Sequence, residues 1–516
     1  MPISRCWSVA LVGMHSHPVE VEVDVATGLP QYILTALSDR VLKQSEHRLR
    51  SAIANSCEQW PGRKVTVALL PATVPKTGSR FDLPIAVALL SACGVLGDAD
   101  IGEWVAMGEL SLTGAVKGVT GVLPSIIGAC EAGRRRFLVP AANYGEARLV
   151  PGAEVVGVTS LAQVCAWLRG VIPTPDPPED DGEPLPPPEE PDLVDVVGQP
   201  AARRAIEVAA AGGHHMFLSG PPGVGKTMLA ERLAPLLPDL TEEQAMQVTQ
   251  IHSVAGLLRQ GRPLITRPPF CAPHHTATTA ALVGGGAGIA APGAVSIAHR
   301  GVLFLDEAPE FGARSLDALR QPLESGKVSL ARAAGVAEYP SRFLLVLAAN
   351  PCACSAGGRE PGASNCLCSS SQRSRYLSRI SGPLLDRIDI KVDLEPVSRA
   401  VLEADATGEP TASVRERVTA ARTRALDRLS GTPWSSMADV PGPVLRRRWP
   451  VPRPALRPLL AMLDRGGLST RGLDRVMRVA WTLSDLAGRS EPGVEQVAEA
   501  YALRTGYGLT TLSMPA

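Results

Sequence analysis

Aromatic residues are scarce: Phe, Trp and Tyr make up 4% of the 516 residues. Large aromatic cores are thereby excluded, and Ala, Leu and Val must fill the interior. Net charge is also missing, because 51 Lys and Arg balance 51 Asp and Glu. A global field that gathers polyanions is ruled out, so any nucleic-acid contact must come from local basic patches. No run of about 18 apolar residues occurs, which excludes a membrane-spanning helix. Ten cysteines are too few for a disulfide framework, so a reduced, cytoplasmic setting is expected. Six of them (Cys6, Cys57, Cys93, Cys130, Cys165 and Cys271) stand singly and read as small buried hydrophobes. The opening "MPISRCWSVALVGMHSHPVEVEV" lacks a Lys-rich flank and a small-residue cleavage site. It reads as a first β-strand rather than a signal peptide.

What is present divides the chain. Its length calls for two to four domains. Residues 172–191 are nearly all Pro and acid, a composition that cannot bury a core and predicts a stiff, solvated linker. Before it, residues 1–171 alternate strand patterns ("VEVEVDVAT", "KVTVALLPA", "RRRFLVPAAN", "AEVVGVTS") with an apolar helix ("LPIAVALLSACGVL"), predicting an α/β domain. After it, "HHMFLSG", "RGVLFLDEA" and "FLLVLAAN" read as buried strands of a parallel sheet over 192–395. Residues 396–516 are helical and Arg-rich.

Phosphate chemistry is written in "GPPGVGKT", Gly220, Pro221, Pro222, Gly223, Val224, Gly225, Lys226 and Thr227. It lies between the apolar strand "MFLS" and the helix "MLAERLAPLL", the context the motif requires. The glycines admit backbone N–H groups to phosphate, Lys226 supplies charge to the β- and γ-phosphates, and the Thr227 hydroxyl suits Mg2+. "VLFLDEA" ends a strand in Asp306, a second Mg2+ holder, and Glu307, placed to polarise water as a general base. Its separation from the glycine loop predicts the neighbouring strand. Asn350 closes the next buried strand, where it can orient the attacking water. Arg387, between a short helix and a strand, fits a finger that stabilises transition-state charge. Arg471 opens a later helix.

Together "DVVGQPAARRAIEVAAAGGHHMFLSGPPGVGKTMLA", "CAPHHTATTAALVGGG", "HRGVLFLDEAPEF" and "RYLSRISGPLLDRIDI" resemble the YifB/ComM family of magnesium-chelatase-like AAA+ ATPases. The resemblance spans nearly the whole chain. It implies a Lon-like α/β domain, a P-loop AAA+ α/β core and a C-terminal α-helical lid. It also implies ATP hydrolysis with Mg2+ by Lys226, Thr227, Asp306, Glu307 and Asn350. Arg387 would act across the interfaces of a homo-hexamer, and Arg471 as a second sensor. DNA, single-stranded or branched, is the expected partner, in branch migration during recombination or natural transformation. A magnesium-chelatase-type ATPase subunit is the alternative, disfavoured by the Lon-like domain.

Five further stretches carry expectations. "APHHTATTAALVGGGAGIAAPG", Ala272 to Gly293, reads either as metal ligands at His274 and His275 or, by resemblance, as a pore-facing insert. "GKVSLARAAGVAEYPSRF" predicts a β-hairpin, whose Lys327 and Arg332 either meet phosphates or mark an ordinary surface. "PATVPKTGSRFDLPIAVALL" and "MGELSLTGAVKGVTGVLPSIIGACEAG" resemble the proteolytic domain of Lon. Arg80 and Pro124 stand where its Ser and Lys would be, so no peptidase is expected. Finally, Cys352, Cys354, Cys366 and Cys368 crowd one polar loop, where structural Zn2+ or free thiols are both open.

Overall fold

The computed structural model describes residues 3–36, 44–178, 190–259, 261, 263–286, 289–332, 335–354, 368–398 and 408–506. Cys366, most of the acidic linker, hairpin residues 333–334 and the last ten residues lie outside that set.

The strict alternation of the N-terminal strands is resolved by one buried face. In His15–Ala26, Val19, Val21, Val23 and Val25 point into the core while the charged residues between them face outward. This strand pairs antiparallel with Ser4–Val12 and with Lys64–Leu70. A seven-stranded sheet results, in the order Gln31–Thr35, Lys64–Leu70, His15–Ala26, Ser4–Val12, Trp104–Ala106, Arg136–Pro140, Glu154–Val158. The helix Asp82–Ala92, apolar all round, is buried almost throughout.

A second sheet has five parallel strands, in the order Phe270–Cys271, Val302–Leu305, Leu344–Ala349, Met216–Ser219, Ile390–Asp393. One expectation needs correcting here. The strand ending at Asp306 is not the neighbour of the strand before the glycine loop, because Leu344–Ala349 lies between them and pairs with both. All six of its residues are buried, as suits the centre of a sheet covered on both faces. Its end therefore delivers Asn350 to the point between the other two motifs.

Local sequence sets the helix ends. Pro200–Gly212 starts on Pro and stops at Gly213 in the left-handed region, φ 73°. Glu242–Ala255 starts with a Thr241–Gln244 capping box and stops at Gly256. The C-terminal helices Thr411–Leu429, Thr470–Leu486 and Val494–Thr505 share one apolar core with Pro200–Gly212 and the five-stranded sheet. The predicted hairpin is present as Lys327–Arg332 paired with Gly335–Pro340. No described helix is long and apolar enough to cross a membrane.

A second correction concerns the solitary cysteines. Cys6 and Cys165 are buried, but Cys57 and Cys93 are exposed and Cys130 and Cys271 half-buried. Cys57 sits at φ 62° just past a helix end, so backbone geometry rather than apolarity places it.

Candidate nucleotide site

The strand Met216–Ser219 runs into residues 220–225 and then the helix Lys226–Glu231. A Cβ on Gly220 would lie 2.6 Å from the Leu394 carbonyl, so only glycine fits. Gly223 and Gly225 have φ of 80° and 93°, which leaves the loop free to present its amides. Lys226 is buried. Its ammonium donates to the carbonyls of Gly220 at 2.7 Å and Pro221 at 2.9 Å, and to Asn350 Oδ1 at 2.9 Å. Burial pushes its pKa down, while Asp306 and Glu307 act in the opposite sense.

On the other side, Thr227 Oγ1 donates to Asp306 Oδ2 at 2.7 Å, and the Glu307 amide donates to Asp306 Oδ1 at 2.9 Å. Hydroxyl and carboxylate oxygens are the donors Mg2+ takes. The open cradle at Gly223 and Gly225, beside a buried ammonium, fits a polyphosphate. Glu307 occupies the left-handed region at φ 50°, a strained position for a non-glycine. Its Oε2 lies 3.2 Å from His275 Nδ1.

Lys226, Thr227, Asp306, Glu307 and Asn350 thus come together from three strand ends. The two arginines do not join them. Arg387 pairs with Glu324 of its own chain, and its carbonyl accepts from Arg475 at 3.0 Å. Burial and the nearby Arg320, Arg475 and Arg471 lower its pKa. Arg387 and Arg471 line a separate cleft of about 960 Å3 between the sheet and the C-terminal helices, to which none of residues 220–227 contributes. Asp389, two residues on from Arg387, is held far below the usual carboxylate range. Arg475 pairs with it, and His214 bridges it at 3.0 Å to Thr482 at 2.8 Å. Sequence reasoning missed Glu324, His214 and Asp389, because their partners lie far along the chain and no local pattern announces them.

The metal-type cluster is partly described. Cys352, Cys354 and Cys368 bring their sulfurs within 4.8 Å of one another, and Cys352 is buried. Cys368 comes just before the helix Ser370–Leu377, capped by Ser369 and Gln372. The rings of His274 and His275 lie tilted against each other, centroids 4.1 Å apart, and belong to no described group of three or more metal-type ligands. At the peptidase-like position, Arg80 is buried and donates to Val9 O and Ser125 Oγ, each at 3.2 Å. Ser79 donates to Glu109 at 2.5 Å and Lys76 to the Pro71 carbonyl, so neither serves the other.

Comparison with known proteins matches three stretches to magnesium chelatase families. Residues 192–402 match "Magnesium chelatase, subunit ChlI", 21–143 match "Subunit ChlI of Mg-chelatase", and 408–504 match "Magnesium chelatase, subunit ChlI C-terminal". An uncharacterized protein of Mycobacterium tuberculosis is 49% identical over 98% of this chain and 99% of its own length. Escherichia coli YifB is 40% identical over 94% of each chain. Competence protein ComM of Haemophilus influenzae is 37% identical over 98% of each. A stretch covering 26% of the chain is 35% identical to Lon protease 2 of Bacillus subtilis, over 26% of that protein.

Proposed function

The chain belongs to the YifB/ComM family of magnesium-chelatase-like AAA+ proteins, and from that premise we propose that it is an ATP-hydrolysing, ring-forming motor that works on DNA. One observation carries the chemistry: the adjacent residues Lys226 and Thr227 are hydrogen-bonded to Asn350 and Asp306 respectively, at the ends of three parallel strands. Residues 220–227 hold the triphosphate, with Lys226 exchanging its carbonyl partners for phosphate oxygens. Thr227 and Asp306 hold Mg2+, which when bound neutralises phosphate charge. Glu307 accepts the proton of the attacking water and Asn350 orients that water. Arg387 and Arg471, grouped away from Lys226 in their own chain, serve the site of a neighbouring subunit in a homo-hexamer.

The DNA reading is supported by the relative named as a competence protein and by the Lys327–Pro340 hairpin with Arg332 near its tip. The family resemblance extends this reading to branch migration on single-stranded or branched DNA. The alternative, an ATPase subunit remodelling a chelatase partner, is favoured only by the names of the matching families. In the N-terminal domain the engaged Ser79, Lys76 and Arg80 support a scaffold without peptidase activity. Structural Zn2+ is proposed at Cys352, Cys354 and Cys368, together with Cys366, which lies outside the described residues, since a tetrahedral site places sulfurs about 3.8 Å apart, within the span of the three described sulfurs.

The test is the ATPase rate with and without single-stranded, duplex and four-way-junction DNA, alongside Lys226→Ala. Hydrolysis that Lys226→Ala abolishes, and that branched or single-stranded DNA stimulates, is expected. Hydrolysis indifferent to every DNA, with no DNA binding in ATP, would sink the motor.

A further inference from the structure

The chain carries no net charge, so a concentration of one sign must be assembled locally. Residues 441–468 hold six arginines and a single acid, Asp464. They form the helices Gly442–Arg448 and Arg453–Asp464. Arg446 pairs with Asp474. Arg447, Arg448, Arg453, Arg457 and Arg465 are all exposed. Among the described residues, Arg447, Arg453, Arg457 and Arg465 have no carboxylate partner, and Arg448 lies over the Trp449 ring at 5.0 Å.

The neighbouring helices treat arginine differently. Arg417, Arg428 and Arg475 each hold a carboxylate, and Arg422 and Arg478 each donate to a backbone carbonyl. Even Lys327 of the hairpin is engaged, by Glu338 at 3.3 Å. Helix stability does not account for the exception. Arginines in the last turn of Gly442–Arg448 suit that helix's dipole, but Arg453 opens its own helix, where a cation opposes the dipole and the first turn holds no acid to offset it. The backbone beneath these charges is fixed. Trp449 and Val451 are buried between the two helices, and the Trp449 carbonyl accepts from Trp481 Nε1 at 3.0 Å. Pro450 and Pro452 stiffen the same connection. Leu445, Ala455 and Leu459 anchor both helices in the core shared with the five-stranded sheet. Arg453 and Arg457 lie about one turn apart, roughly 6 Å along the helix axis.

We propose that the exposed arginines of Gly442–Arg448 and Arg453–Asp464 form a nucleic-acid contact additional to the hairpin, gripping the phosphate backbone on the surface of the C-terminal helices. The proposal rests on the DNA reading above and gives that reading a surface. The set is arginine throughout, with no lysine, and a planar guanidinium meets two phosphate oxygens at once. A strand of phosphates supplies the negative charge that the fold withholds from these five side chains. Because the base beneath them is rigid, binding orders little more than the side chains themselves. Phosphate contacts carry no sequence information, so the contact is indifferent to sequence and steep in salt.

The experiment follows fluorescence anisotropy of labelled single-stranded and duplex oligonucleotides of mixed sequence, with ATP, across a salt series. It compares the full-length wild type with a variant combining R447Q, R448Q, R453Q and R457Q, and with one combining R447K, R448K, R453K and R457K. Four lost phosphate contacts predict a plot of log affinity against log salt shallower by about 3, and binding weaker by about ten-fold or more near ~0.1 M salt. The lysine variant keeps the charges and should retain most of the salt slope. DNA-free hydrolysis and melting temperature should stay at wild-type values in both, since these side chains are exposed and lie apart from residues 220–227. Affinity and salt slope equal to wild type in the glutamine variant overturn the contact, while DNA-stimulated, Lys226-dependent hydrolysis would still stand for the motor. A wild type that binds neither oligonucleotide overturns the DNA reading and the contact with it. Loss of poly-glutamate binding in the glutamine variant, with DNA binding intact, would assign the surface to an acidic protein and overturn the nucleic-acid contact.

Discussion

The Ser253 hydroxyl donates to Glu146, 107 residues away in the chain. Ser253 lies in the helix Glu242–Ala255, which follows the strand and helix of the glycine loop in the chain, and Glu146 among the N-terminal elements. The Gly121 amide donates back to the Ser253 carbonyl at 2.9 Å. Glu146 is buried and also accepts from Asn143 at 2.7 Å and the Leu123 amide at 3.1 Å. Burial raises its pKa against these donors and the nearby Arg80. Ser253→Ala removes one donor to a buried carboxylate, so a loss of about 1–3 kcal/mol is expected. Urea unfolding followed by tryptophan fluorescence would read it, and an unchanged midpoint would dissolve the junction.

A second prediction concerns acid. His299 is buried and its Nδ1 accepts the Arg342 amide at 3.0 Å, which requires the neutral ring. Burial, with Arg300 and Arg342 nearby, lowers its pKa to about 3. The unfolded chain takes up that proton near pH 6.5. The contribution is therefore complete above pH 6.5 and is lost as pH falls towards 3. His299→Asn keeps an acceptor and cannot titrate. Wild type should lose about 2–3 kcal/mol relative to this variant between pH 7 and pH 4.5. A constant difference between the two across that range would show that His299 is charged in the fold.

The proposed Zn2+ site gives a third. Cys352 is buried two residues past Asn350, and Cys368 precedes the helix Ser370–Leu377, which the short helix Gly382–Leu385 separates from Arg387. A metal there would stiffen the path from the strand Leu344–Ala349 to Arg387, the finger of the proposed function. Purified protein is expected to carry about one zinc per chain by elemental analysis. Cys352→Ser should release it and lower the melting temperature more than it lowers kcat per chain. Metal-free protein of normal stability would leave only free thiols.

Contiguity explains what was readable beforehand. Residues 220–227, Asp306–Glu307 and Asn350 each end an apolar strand, so type and place were visible in a few neighbouring letters. Alternating valines gave the N-terminal strands in the same way. Strand order was not visible, since both Val302–Leu305 and Leu344–Ala349 are equally apolar, and only packing decides which is central. The Arg387–Glu324, His275–Glu307 and Ser253–Glu146 contacts join residues with no shared pattern. Arg471 could be assigned to a helix but not to the cleft it shares with Arg387. Cys57 and Cys93 were misjudged because a small apolar residue at a helix end follows the turn, not the core.

That cleft supplies the last prediction. Arg387 and Arg471 line one wall system with Glu324, while Lys226 and Glu307 lie elsewhere in the same chain. If the arginines complete a neighbour's site, Arg387→Ala and Glu307→Gln are each inactive for different reasons. Mixed rings would contain interfaces that pair an intact Glu307 with an intact Arg387. In an equal mixture about one interface in four is fully wild type, so activity should return to about that fraction. Arg471→Ala mixed with Glu307→Gln should behave alike. Mixtures that remain as inactive as their parents, in rings confirmed to exchange subunits, would place both arginines in service of their own chain. Glu324 gives a companion reading: Glu324→Gln frees Arg387 from its internal partner, and at limiting protein concentration this should raise hydrolysis by favouring the interface contact.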